Sequence, residues 1–82
     1  MTAPSTPHDL QEHFAHCIQV FGGVTAASRR LGIDERALRR FVNGEKPVST
    51  NLLQDTADAL RQMIAEATAA EAKLTVVLGS AD

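Results

Sequence analysis

The chain has 82 residues, a net charge of −2 and 44% hydrophobic residues, with Phe14, Phe21 and Phe41 as its only aromatics. A chain of this length makes one small domain with an extension, too little to enclose a substrate pocket. Its lone cysteine, Cys17, excludes an intramolecular disulfide and fits a reducing, cytoplasmic setting, and no run reaches the ~18 apolar residues of a membrane span.

Abundant alanine, and Gly and Pro gathered at a few boundaries, predict an all-α protein. Residues 1 to 7 are rich in Thr, Ser and Pro, with no apolar anchor, and read as a disordered arm and not a signal peptide. From about His8 to Phe21, Leu10, Phe14, Cys17, Ile18 and Phe21 recur at helical spacing, and Gly22-Gly23 stops this first helix. A short second helix follows from Val24 to Leu31. Val24, Ala27, Ser28 and Leu31 face inward, Arg29 and Arg30 outward, and Gly32 ends it.

Only Gly32, Ile33 and Asp34 separate it from a third helix, and so brief a link forces the two to cross steeply. Asp34 is a natural N-cap, because its carboxylate can accept from a free amide of the first turn. Ile33 and Leu38 are spaced as a hydrophobic staple. Gly44 can adopt the left-handed conformation that closes a helix, and Pro47 blocks continuation. At ~100° per residue, Leu38, Phe41 and Val42 share one side, while Arg36, Arg39, Arg40 and Asn43 share the other. Guanidinium and amide groups are those that read guanine and adenine edges in a major groove.

Lys46-Pro47-Val48-Ser49 reads as a loop. Ser49, Thr50 and Asn51 all offer caps for a fourth helix, and Asn51 with Gln54 has capping-box spacing. Leu52, Leu53, Ala57, Leu60 and Ile64 form its buried stripe. Residues 65 to 73 have strong helix propensity. Leu74-Thr75-Val76-Val77-Leu78, before Gly79, fits either a continued helix or a short β-branched strand; one long helix to about Leu78 is the favoured reading. In that helix Leu60, Ile64, Ala67, Leu74, Val77 and Leu78 extend an apolar stripe beyond what three short helices can cover. A second copy of the same segment is its expected partner.

Charge is segregated. Residues 25 to 46 hold six cations and three anions, a net +3, whereas the rest holds two cations and seven anions, a net −5. A basic middle between acidic flanks focuses a polyanion onto one surface. His8, His13 and His16 beside Cys17 invite a metal reading, and His13 and His16 have the spacing of two ligands on one helix. Cys17 lies on the buried stripe, however, and no second ligand cluster exists, so no metal is expected. Nor is there a glycine-rich phosphate loop, or a nucleophile with a base, so no cofactor and no enzymatic activity are expected.

Residues 23 to 44 resemble the helix-turn-helix of the Cro and C1-type repressors. The pattern's small residue, Leu and turn Gly are here Ser28, Leu31 and Gly32. Its aliphatic residue, polar cap and second aliphatic residue are Ile33, Asp34 and Leu38, and its closing apolar residue and glycine are Phe41 and Gly44. Ser28 stands where Ala is usual, and Val24 where Gln is frequent. The likeness covers residues 8 to 64, a DNA-binding domain, and leaves residues 65 to 82 as a C-terminal helical extension. It implies a lambda-repressor-like bundle of about four helices, here with a long last helix for dimerisation.

The same resemblance implies a sequence-specific regulator of transcription, most simply a homodimeric autorepressor of a palindromic operator. Size and layout are similar to regulators of phage and mobile-element operons, anti-CRISPR-associated ones included. The third helix would enter the major groove. Arg36, Arg39 and Arg40 would read bases there, with Asn43 one turn on and Glu35 at the helix start able to accept from cytosine. Phosphates would meet the amides of Val24 and Thr25, the Thr25 hydroxyl, Arg29, Lys46, and the cap at Ser49, Thr50 and Asn51. No small-molecule effector is implied. The alternative is a protein-interaction module, such as an antitoxin or assembly adaptor, that holds its partner with the C-terminal helix.

Overall fold

In the computed structural model, which describes residues 6 to 80, the protein is all-α. Four helices follow one another: α1 Pro7–Phe21, α2 Val24–Leu31, α3 Glu35–Val42 and α4 Thr50–Ser80. Helices α1 to α3 and the first part of α4 enclose one core. The remainder of α4 projects from it.

Helix α1 starts one residue earlier than the apolar spacing predicts. Thr6 Oγ1 accepts from the Asp9 amide at 3.1 Å, and Asp9 Oδ2 accepts from the Thr6 amide at 3.3 Å. This reciprocal cap satisfies two otherwise free donors, and Pro7 sits at the first helical position, where no amide hydrogen is needed. Thr6 and Pro7 therefore belong to the folded domain and not to an arm; residues 1 to 5 of the expected arm lie outside the described residues.

The α2–α3 connection follows the expected pattern and shows what fastens it. Gly32 has φ 68° and ψ 30°, and its amide donates to the Ser28 carbonyl at 2.9 Å. A side chain at this φ would meet its own backbone, which is why glycine stands here. Asp34 caps α3 by accepting from the Arg36 amide at 3.1 Å. Ile33 and Leu38 both pack into the core.

The centre is aromatic and aliphatic. Phe14 and Leu38 are fully buried, and the rings of Phe14 and Phe41 meet edge to face at 5.8 Å, which ties α1 to α3. Ile18, Phe21, Ala27, Val48, Leu52 and Ala59 complete the buried set. Thr56, on α4, is the one buried polar residue among those described. Its hydroxyl donates to the Leu52 carbonyl one turn back, at 2.7 Å. The helix's own backbone thus satisfies the group, and a threonine can occupy a core position at little cost.

Helix α4 departs from the sequence reading in three respects. Its cap is Ser49, whose Oγ accepts from the Leu52 amide at 3.1 Å. Asn51 is already inside the helix, so the Asn51–Gln54 capping box does not form. The helix is continuous through 74 to 78, as the favoured reading has it, and the strand alternative falls; the departure is that it runs on through Gly79 to Ser80, so Gly79 does not terminate it. An exposed glycine costs a helix about 1 kcal/mol, too little to stop 31 residues that are otherwise well suited to it. Lastly, Ile64 is 62% exposed and not part of the buried stripe. The core reaches α4 only as far as Met63, because α1 and α2 are too short to extend further.

The projecting helix sets the shape. The radius of gyration is 16.2 Å and the extents are 53 × 36 × 16 Å. A compact domain of this size has a radius of about 12 Å.

Candidate nucleic-acid interface

Specific contacts join three regions: Thr25 at the start of α2 donates to Glu35 of α3, and Glu45 of the loop into α4 lies beside Arg36, Arg39 and Arg40 of α3. Each region is positioned by the core beneath it.

Helix α3 is anchored at both ends. At its start, Ser28 Oγ donates to the Ile33 carbonyl at 2.6 Å and fixes the turn leading into it. At its end, Gln11 Nε2 of α1 donates to the Val42 carbonyl at 2.8 Å. The Arg40 carbonyl accepts from the amides of Glu45 and Lys46, at 2.8 and 3.2 Å. Carbonyls of the last turn would otherwise lack partners, so these bonds hold the helix to its full length. With Leu38 buried and Phe41 and Val42 half-buried beneath, the helix has one orientation. That orientation turns Arg36, Arg39 and Arg40 to solvent, where with Glu45 they line a shallow polar recess.

The predicted base readers fall into two groups. Arg36 and Arg40 are exposed with no ion-pair partner among the described residues. Arg39 donates through Nη2 to Glu35 Oε1 at 3.2 Å, and the same oxygen accepts from Thr25 Oγ1 of α2 at 3.2 Å. Glu35 therefore bridges α2 and α3 and orients Arg39. This reduces its own availability to a cytosine amine. Asn43 is exposed and lies just past the helix as its C-cap, with its amide donating to the Arg39 carbonyl at 2.8 Å.

The predicted phosphate contacts come from α2, the loop after α3 and the first turn of α4. Gly23 caps α2 without any side-chain hydrogen bond, so the amides of Val24 and Thr25 are left free of a capping group. Such an N-terminus carries partial positive charge and unfilled donors. The Thr25 proton is given to Glu35, which leaves the hydroxyl oxygen as an acceptor. Arg29 is exposed. Lys46 places its Nζ 5.3 Å from the Phe41 ring centroid, a cation–π contact that holds the ammonium near the end of α3. Ser49 Oγ accepts the α4 cap bond and keeps its proton for donation, while Thr50 and Asn51 are exposed at the first turn of α4.

The predicted dimerisation residues are exposed as a group. Ile64, Leu74, Val77 and Leu78 are each more than 60% exposed, Ala67 is exposed, and Leu60 alone is half-buried against the core. Val76 is 68% exposed on another side of the helix.

Several structural partners escaped the sequence reading. Gln11 and Ser28 each serve a carbonyl whose position only the folded turn sets, so no spacing rule could reveal them. Arg30, read as simply exposed, reaches across to Glu66 of α4 at 3.0 Å. The acidic start of the projecting segment is thereby pinned beside α2.

The rest of the molecule shows little reactive chemistry. Burial pushes the Cys17 thiol up, away from the reactive thiolate. His8 pairs with Glu12 at 3.1 Å along α1. Among the described residues, no three His, Cys, Asp or Glu side chains gather as a metal site, and no helix is long and apolar enough to cross a membrane. Compared with protein-family models, with curated proteins and with solved structures, the chain matches none.

Proposed function

We propose that this protein is a sequence-specific double-stranded DNA-binding regulator of transcription. It acts in the cytoplasm by binding and not by catalysis, with no cofactor or effector. The observation that carries this reading is the buttressed α3. Its arginine face is solvent-exposed beside the uncapped N-terminus of α2, and both are fixed to one core. Helix α3 enters the major groove. Arg36, Arg39 and Arg40 donate to guanine O6 and N7, and each good bidentate pair discriminates by ~1–3 kcal/mol. The α2 amides, Arg29 and Lys46 hold phosphates and set the register. A homodimer formed through the end of α4 doubles the recognised sequence and makes a palindromic operator the natural target, ~10 bp between half-site centres. An autorepressor of a phage or mobile-element operon fits this design.

Selection of bound sequences from random duplex DNA, followed by gel shift, tests the proposal. Enrichment of an inverted repeat is expected. Arg40→Ala should weaken binding to it about 10- to 100-fold, with the helical circular-dichroism spectrum unchanged. Affinity should also fall steeply with salt as released counterions are replaced. No enriched sequence, or unchanged affinity for Arg40→Ala together with Arg39→Ala, refutes it.

The exposed apolar end of α4 favours a second reading, a protein-interaction module such as an antitoxin or assembly adaptor. Under that reading the purified protein binds no DNA and forms a stoichiometric complex with one defined protein through residues 64 to 78.

A further inference from the structure

We propose that α4 pairs with α4 of a second copy as an antiparallel two-helix coil, centred between Ala67 and Ala70, with Glu66 of each chain against the partner's Lys73. This deepens the reading of the α4 end as a self-association element. It does not depend on DNA binding.

The pairing surface continues the face that α4 turns to its own core. Thr56 is buried, and Leu60 and Met63 are packed against the core. From Leu60 onward the same face runs Leu60, Met63, Ala67, Ala70, Leu74 and Val77. Steps of three and four residues alternate, and no polar residue interrupts them. This is the seam of a coiled coil, in which two helices bury matching stripes. Beyond Met63 no other part of the described chain covers it; Leu74 is 62% and Val77 63% exposed. Ile64 and Leu78, also exposed, border one side of the seam and widen the apolar surface. Ala67 and Ala70 lie at the middle, where small side chains let two helix axes approach to ~8 Å.

Charge decides the direction. Glu66 and Lys73 border the other side of the seam, seven residues apart. In a parallel, in-register pair, Glu66 would face the partner's Glu71, twice, which is repulsive. In the antiparallel pair the Ala67 layer meets the partner's Ala70, and the edges that half-buried Met63 and Leu60 leave to solvent come level with the partner's Leu74 and Val77. Glu66 then falls beside the partner's Lys73, again twice, which is attractive. Within the chain Glu66 uses Oε1 for Arg30, which leaves Oε2 for the partner's Lys73; Lys73 meets no carboxylate among the described residues. The two-fold axis crosses α4 near residues 68 and 69, and each core then lies beside the end of its partner's helix.

Cross-linking of two singly substituted full-length chains tests direction and register. In a Cys17→Ser background, Ala67→Cys and Ala70→Cys chains are oxidised alone and as a mixture, one of them carrying a mass tag. The mixture should give a disulfide-linked pair of one chain of each kind, and each chain alone should give far less. Two copies of position 67 are offset by three residues, ~4.5 Å along the axis, beyond the separation already present across the pair. Sedimentation equilibrium supplies the second measurement. Lys73→Glu should weaken dimerisation about tenfold, and adding Glu66→Lys should recover most of that loss. Efficient cross-linking of each chain alone overturns the antiparallel register but leaves the dimer standing. A wild-type monomer at all soluble concentrations overturns both.

Discussion

Gly44→Ala probes how α3 is held at its C-terminal end. Gly44 has φ +81°, and a Cβ there would meet Gln11 Oε1 at 3.0 Å and Gln11 Cδ and Nε2 at 3.3 Å. The left-handed conformation costs a residue with a Cβ about 1–2 kcal/mol. The crowding is relieved by swinging Gln11 aside, because it meets the end of a flexible side chain. That movement breaks the 2.8 Å bond from Gln11 to the Val42 carbonyl, worth about 1 kcal/mol. The substitution should therefore destabilise by about 2–3 kcal/mol, and lower Tm by roughly 8–20 °C for a domain of this size. Urea unfolding at one protein concentration, with the Gln11→Ala variant and the double variant alongside, separates the two causes. Gln11→Ala alone should cost about 1 kcal/mol, and the double variant about the same as Gly44→Ala alone, because the hydrogen bond can be lost only once. Strict additivity of the two substitutions would show that the Cβ leaves Gln11 in place and would refute the reasoning.

Two further outcomes follow from the core. Leu38→Ala, at a fully buried position, should cost about 2–5 kcal/mol in denaturant unfolding, because it removes the staple and the floor of α3 together; a cost under 1 kcal/mol would mean that α3 is held by its caps and not its apolar side. Cys17 should react with iodoacetamide near pH 8 more slowly than a free cysteine, since burial raises its pKa. The sign of the linked stability is set by the same shift. The folded thiol keeps its proton to higher pH than the unfolded one, so the contribution is intact below the unfolded thiol's pKa of about 8.5 and is lost as pH rises above it. Cys17→Ser should remove that alkaline loss.

Much of this protein is local, and what is local can be read from its residues. The lengths of α2 and α3, the Gly32 turn, the Asp34 cap and the opposed arginine and apolar sides of α3 all depend on neighbours within four positions. Helical periodicity and cap chemistry act over that range. The start of α1 was open to the same kind of reading, through the Thr6–Asp9 pair and Pro7, although the apolar stripe begins only at Leu10.

What the sequence alone left undecided needed the third dimension. For 74 to 78 residue type favoured a continued helix over a strand without excluding the strand. Folding placed the segment in line with a helix already under way, where continuation needs no new nucleus. Which α4 residues were buried depended on where α1 and α2 stop, and that is a matter of packing between elements distant in sequence. The Gln11 bond to Val42, the Glu35 bridge between Thr25 and Arg39, and the Arg30–Glu66 pair each join groups that share no periodicity. Residue type and spacing thus determined the four helices and the polar character of α3. Only the tertiary arrangement decided which arginines are held by a carboxylate among the described residues and which are not, and that the apolar side chains of α4 beyond Met63 are left uncovered among those residues.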